Sequence, residues 1–155
     1  MNIKNILILG LILVLAGGIV TTASAAQTVN ITDVNIKVLD GFNPYENDVD
    51  TTHMDEDGLD TEDIDGTIVD NKVTKEYING NGDKLELTVG ALNNGKKIET
   101  LNAYGYTKKS IAGKDGFFKT EMDDERQQYK FQYLQDGKLV KIEAPNEDSI
   151  SKVIG

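Results

Sequence analysis

Hydrophobic and polar residues alternate most clearly over residues 126–145, and this alternation predicts a β-hairpin. If Asp136 and Gly137 are the central residues of a type I′ turn, the strand register follows by counting outward from the turn. The predicted pairs are Leu134 with Leu139, Tyr133 with Val140, Gln132 with Lys141, Phe131 with Ile142, Lys130 with Glu143 and Tyr129 with Ala144. This register places aromatic side chains against aliphatic ones on one face. It leaves Gln132 and Lys141 on the opposite face, where we expect alanine to be tolerated.

Three further stretches show strand patterns. Residues 29–38 alternate apolar and polar side chains and predict a first strand. Residues 67–89 predict a second hairpin with a glycine-rich tip at 79–83, and residues 106–122 predict a third around 112–116. Both tips carry glycine, which adopts positive φ without strain.

Two short segments show helical patterns. Asn146 can cap a helix whose apolar stripe, Ile150 and Val153, is expected to pack on the aromatic face of the sheet. In residues 96–104 the apolar side chains recur every three positions, which favours a second short helix over a strand. The sequence therefore predicts an α+β fold, a mainly antiparallel sheet of about five to seven strands built from hairpins. The C-terminal helix is expected to lie on one face of this sheet. If residues 96–104 are also helical, that helix is expected on the same face.

The negative charge of the chain is concentrated in one stretch. Residues 48–70 hold ten acidic side chains, and no Lys or Arg occurs between Lys37 and Lys72. From residue 71 onward 13 acidic residues stand against 14 basic ones, so the net charge of −10 originates earlier in the chain. A stretch with so few apolar side chains is typical of a mobile loop, which we assign to residues 44–66. The charge also argues against nucleic acid as a partner.

The N-terminus has the three-part layout of a secretory signal peptide. Lys4 precedes an uncharged apolar run, and Ala23-Ser24-Ala25 fits the small-x-small cleavage pattern. We therefore assign residues 1–25 to the signal peptide and residues 26–155 to a single domain. The alternative is an uncleaved anchor, which would attach the domain to a membrane through this segment alone. Both alternatives place the domain outside the cytoplasm, secreted or at the cell surface, where the sequon at Asn30 becomes a candidate for glycosylation.

The sequence offers no credible catalytic constellation. Cysteine is absent, which excludes disulfides, a thiol nucleophile and thiolate metal sites. The one histidine, His53, lies in the acidic stretch, far along the chain from Ser110, Ser149 and Ser151. A carboxylate-based hydrolase is a minor alternative, but paired carboxylates work only when burial separates their pKa values and fixes their distance. We therefore expect a protein that is not an enzyme and that has no cofactor apart from the metal considered next.

The acidic loop contains a sequence pattern that is suited to calcium binding. Asp55, Asp57, Asp63 and Asp65 belong to two Asp-x-Asp-Gly repeats, and Ca²⁺ takes hard oxygen ligands around glycine turns. The EF-hand template fails, because its bidentate position would fall on Lys72. The competing interpretation is a solvated acidic loop without a metal.

Three stretches resemble a known group of proteins: 36–42, 110–117 and the Tyr-x-Phe-x-Tyr…Asp-Gly-Lys pattern of the last hairpin. They are similar to small exported proteins of unknown function from methanogenic archaea. Such proteins often have proline before Asp-Gly-Phe, whereas this chain has Leu39. The resemblance implies an exported location and the fold, and it brings no catalytic residues.

Two functions from different classes follow. The first is a non-catalytic surface or secreted domain that binds a protein or a small ligand. The second is a calcium-binding or calcium-stabilised module. Melting curves in Ca²⁺ and in EDTA separate them, because an ion that binds only the native state raises its stability.

Export is the first prediction to test. Sequencing the N-terminus of the protein recovered after expression of the full chain should give a start at or near Ala26. A cytosolic protein that keeps Met1 would contradict the signal-peptide assignment.

Overall fold

The computed structural model describes residues 26–45, 61–93, 98 and 104–155. The described elements are β1 (Gln27–Ile31), β2 (Val34–Val38), β3 (Asn43–Pro44), β4 (Thr61–Ile64), β5 (Thr67–Ile78), β6 (Lys84–Leu92), β7 (Thr107–Ile111), β8 (Lys114–Asp123), β9 (Arg126–Gln135), β10 (Lys138–Ala144) and α1 (Glu147–Ile154). The main sheet has the strand order β3-β5-β6-β10-β9-β8-β7, and β4 pairs with β5 beside this path. The strands β1 and β2 form a separate two-stranded sheet.

This architecture confirms the predicted α+β class. All strand pairs are antiparallel, and the helix among the described residues is the short C-terminal one. The main sheet has eight strands, more than the five to seven predicted. The extra strands are the short pieces β3 and β4, which lack an alternating pattern long enough to identify them in the sequence.

The hairpin of β9 and β10 has the predicted register at each of the six predicted pairs. Asp136 and Gly137 have φ values of 51° and 76°, as a type I′ turn requires. The side chains therefore alternate between the two faces of the sheet in the predicted order.

The prediction of one strand over residues 29–38 is wrong, because this stretch is the hairpin of β1 and β2. Thr32 and Asp33 form its two-residue turn, with φ values of 45° and 67°. The apolar alternation changes phase between Ile31 and Val34. Such a phase change is what a two-residue turn produces, since it brings the apolar positions of both strands to one face.

The assignment of the whole range 44–66 to a loop is wrong at both of its ends. Part of the assigned range 44–66 is strand, because Pro44 lies in β3 and β4 begins at Thr61. The pairing of β4 with β5 buries Ile64, and Asp65 and Gly66 adopt positive φ in the turn between the two strands. Residues 46–60 lie outside the described residues.

One face of the main sheet, here called the covered face, packs against the β1–β2 hairpin and α1. The core on this face joins Phe131, Tyr133, Val140, Ile142 and Ala144 of the last hairpin to Ile31, Val34, Ile36 and Val38 of β1 and β2 and to Ile150 and Val153 of α1. Asn146 caps α1 by accepting a hydrogen bond from the Ser149 amide at 2.8 Å. The predicted place of the helix on the aromatic face is therefore confirmed.

The other face, here called the polar face, carries a second, smaller core. Its buried residues are Ile64, Val69, Ile98, Tyr106 and Leu139. This core covers the middle of the polar face, which the hairpin pattern alone predicts to be exposed to solvent.

A bulge in β5 lets that strand supply both cores. Asn71, with a φ of 52°, and Lys72 stand opposite Gly90 alone, so the alternation of side chains changes phase. Val69 consequently joins the core of the polar face, whereas Val73 packs on the covered face. Gly90 makes room for this, because a Cβ atom there would lie 2.7 Å from the Cβ of Val69.

Most of the second predicted helix, residues 96–104, lies outside the described residues; Ile98 and Tyr104 are described. Within the described part of the chain, no helix has the length and apolar character needed to cross a membrane.

Candidate functional site

Three successive side chains of β9 divide the polar face into three zones. Because every second residue of a strand lies on the same face, Lys130, Gln132 and Leu134 all lie on the side opposite to Phe131 and Tyr133. Lys130 lies in a row of charged groups, Gln132 in a hydrogen-bond network and Leu134 in a groove.

The charged row begins at the Lys130 ammonium. This group contacts the carboxylates of Glu121 and Glu143, the latter at 3.1 Å, and Glu143 is also paired with Lys141. Hydrogen bonds from Lys130 and then Lys119 lower the pKa of the Glu121 carboxyl to about 2. The predicted opposition of Lys130 and Glu143 is confirmed, and the charges of this row are largely compensated within it.

Glu86 is the exception in the charged row. It lies directly opposite Glu143 on one side and directly opposite Glu76 on the other. Burial, and after it the negative charge of Glu143, raises the pKa of the Glu86 carboxyl above its ordinary value. Like charges in directly opposed strand positions destabilise a sheet, so ionised Glu86 opposes folding.

The middle zone is a hydrogen-bond network of three side chains, in which Tyr106 and Gln132 are buried and Asp65 is partly buried. The Tyr106 hydroxyl donates to the Asp65 carboxylate at 2.6 Å, and the Gln132 amide donates to that hydroxyl at 2.9 Å and to the carboxylate at 3.2 Å. Burial, with the neighbouring Asp65 carboxylate, strongly raises the pKa of Tyr106, so its hydroxyl stays protonated and available as a donor. The network ties the β4–β5 turn to the centre of the sheet.

The network corrects the expectation that Gln132 tolerates alanine. Its side chain is 0% exposed. The β4–β5 hairpin, Ile98 and Tyr106 cover this part of the face, which the sequence pattern of β9 and β10 could not reveal. The side-chain oxygen of Gln132 is buried and, among the described residues, accepts no hydrogen bond.

The candidate calcium ligands are not brought together by the described residues. Asp63 accepts a hydrogen bond from the Gly66 amide within its own turn, and the Asp65 carboxylate belongs to the network with Tyr106. Asp55 and Asp57 lie outside the described residues. Over the described ranges, no group of three or more His, Asp or Glu side chains is arranged to hold a metal ion. The calcium hypothesis stays a prediction.

The third zone is a groove with a volume of about 850 Å³ beside β7. Its lining includes Ile98, Lys108, Ser110, Asp115, Phe117 and Leu134. Leu134, near the end of β9, is 44% exposed, and Phe117 is half-buried. Lys108 and Asp115 have no ion-pair partner among the described residues. A partly apolar groove with a few convergent polar groups is the usual form of a ligand-binding site.

Sequence reasoning missed the groove, although one signal for it was present. Phe117 and Phe118 are adjacent in one strand, so one aromatic ring has to lie on the face opposite to the other. Phe118 packs on the covered face, which leaves Phe117 on the polar face. The groove is also lined by Ile98, which is distant in the sequence from Leu134 and whose position beside it the strand pattern could not predict.

Comparison of the chain with protein-family models, with curated proteins and with solved structures gave no match. The function is therefore inferred from the molecule's own geometry.

Two substitutions on β9 test the assignment of its faces. Phe131→Ala empties a fully buried site and should lower the free energy of unfolding by about 3 to 5 kcal/mol. Gln132→Ala removes the amide that donates to the Tyr106 hydroxyl and to the Asp65 carboxylate, and it should cost about 1 to 3 kcal/mol. Unfolding in urea measures both, and the exposed Gln127→Ala is the control, expected within about 0.5 kcal/mol of the wild type. A Gln132→Ala variant as stable as this control would contradict the network.

Glu86 predicts a pH dependence of stability. Its pKa is raised in the folded state, so folding favours the protonated carboxyl. The corresponding stability is present below the ordinary pKa of 4.5 and is lost as the pH rises through the folded-state pKa. Glu86→Gln removes the ionisable carboxyl, so stability no longer falls as this group ionises. The variant should therefore exceed the wild type in stability by more at pH 7 than at pH 4. Urea unfolding at both pH values measures the difference, and an equal effect at both would contradict the raised pKa.

Proposed function

We propose that residues 26–155 form an exported, non-catalytic binding domain whose ligand site is the groove on the polar face. The observation that carries this proposal is the exposure of Leu134 beside Phe117 in the groove. Exposed apolar side chains that cluster in a concave site favour contact with another molecule. Export is proposed from the N-terminal sequence pattern.

The groups around the groove support binding better than catalysis. Ser110 is exposed, and no hydrogen bond joins its hydroxyl to another side chain in the described part of the chain. A serine nucleophile needs an adjacent base to activate it. Lys108 and Asp115 can instead pair with charged groups of a ligand, since neither has a partner among the described residues.

The ligand is expected to combine an apolar part with a polar one. The apolar part would lie against Phe117 and Leu134, where desolvation supplies most of the affinity. The polar part would lie near Lys108 or Asp115, where charged contacts fix the orientation. A protein segment or a small amphipathic molecule meets this description.

The dye anilinonaphthalene sulfonate, which combines aromatic rings with a sulfonate, is a suitable probe of the groove. We expect the native domain to bind it saturably, with fluorescence titration as the measurement. Leu134→Gln should weaken binding roughly tenfold, which corresponds to about 1.4 kcal/mol. The matched control is Met122→Gln, because Met122 is 67% exposed and does not line the groove. Absence of saturable binding, or equal effects of the two variants, would contradict the proposal.

A further inference from the structure

The groove lies beside an edge of the main sheet. Strand β7 is the last strand in the sheet order, and among the described strands it pairs only with β8. An edge strand presents backbone groups to which another strand can bind.

The turn between β7 and β8 determines which backbone groups point outward. Ala112 and Gly113 form a two-residue turn, so Ile111 and Lys114 exchange hydrogen bonds. Hydrogen-bonded pairs alternate with non-bonded pairs in an antiparallel ladder, and Lys109 therefore also bonds to β8. The backbone N–H and C=O groups of Lys108 and Ser110 point away from the sheet, and within the described residues they have no hydrogen-bond partner.

The same two residues also line the groove. A strand that bonded to Lys108 and Ser110 would run along the groove and could place every second side chain into it. The unpaired edge and the apolar contact surface of Phe117 and Leu134 are thus next to each other.

The charges of β7 favour an acidic strand over a second copy of the chain. The strand carries Lys108 and Lys109 and no acidic residue. Lys109 is paired with Glu147 of α1 at 2.6 Å, whereas Lys108 has no partner in the described part of the chain. Two copies joined edge to edge through β7 would bring their lysines together, and like charges in opposed strand positions are unfavourable.

We propose that β7 receives an extended acidic peptide segment of a partner protein as an additional strand of the sheet. Its backbone bonds to the N–H and C=O groups of Lys108 and Ser110, an apolar side chain enters the groove against Phe117 and Leu134, and a carboxylate lies beside Lys108. Recognition of this kind takes affinity from main-chain hydrogen bonds and specificity from pockets for alternate side chains. The inference rests on the proposed function of the groove and specifies its ligand.

The test uses a library of random ten-residue peptides displayed on phage and selected on the domain. The enriched peptides should carry an acidic and an apolar residue at alternate positions. Ser110→Pro removes the outward N–H but no bond of the ladder to β8, since that N–H does not face β8. It should weaken the enriched peptides at least tenfold, whereas Ser110→Ala, which keeps the N–H, should bind them like the wild type.

A charge exchange tests the role of Lys108. Lys108→Glu should weaken the acidic peptides, and replacing their acidic residue by lysine should restore binding to this variant. Urea unfolding of each variant confirms that it is folded before binding is compared.

The dye titration separates failure of this inference from failure of the proposed function. If the dye binds but no peptide is enriched, or the enriched peptides lack acidic residues or ignore Ser110→Pro, strand addition is wrong and the groove remains a ligand site. If neither the dye nor a peptide binds, both proposals fail. If the domain dimerises in analytical ultracentrifugation and Ser110→Pro makes it monomeric, a second copy occupies the edge and the acidic peptide is overturned.

Discussion

The register of β9 against β10 is the constraint on which both faces of the sheet depend. Side chains alternate along a strand, so the Asp136-Gly137 turn decides at once that Phe131 lies on the covered face and Gln132 on the polar face. A shift by one residue would move Phe131 away from Ile150 and Val153 and would place Gln132 among the aliphatic side chains of the core. Both the packing of the helix and the polar network therefore require this one turn.

The second constraint is that a single sheet has to supply two cores of unequal size. The covered face is filled by the β1–β2 hairpin and by α1, each a short continuous segment although they are far apart in the sequence, and its core is large. The polar face receives a few side chains from distant parts of the chain, and the bulge at Asn71 is what directs Val69 to it. Because this covering is incomplete, it leaves the partly buried charged row on one side of Gln132 and the groove on the other.

The hairpins could be predicted from their turn residues, whereas the burial of a strand's side chains by distant parts of the chain could not. The Asp136-Gly137 pair predicted six strand pairs correctly because the signal and the structure are local. The hairpin at Thr32 and Asp33 was missed because neither residue is glycine, although the phase change of the apolar pattern marked it. Gln132 was misjudged for another reason: its burial depends on Asp65, Tyr106 and Ile98, which come from other parts of the chain.

The two zones beside Gln132 differ in what their charges can still do. In the charged row Lys130 lies between Glu121 and Glu143, so a charged ligand would have to displace existing ion pairs at a cost in desolvation. At the groove Lys108 and Asp115 have no such partner among the described residues, and apolar surface lies next to them. A ligand bound there, as proposed, would gain both the burial of apolar area and a charge contact that replaces only water. This contrast supports the proposal that a ligand binds where the sheet ends in β7, beside the exposed apolar side chains of the groove.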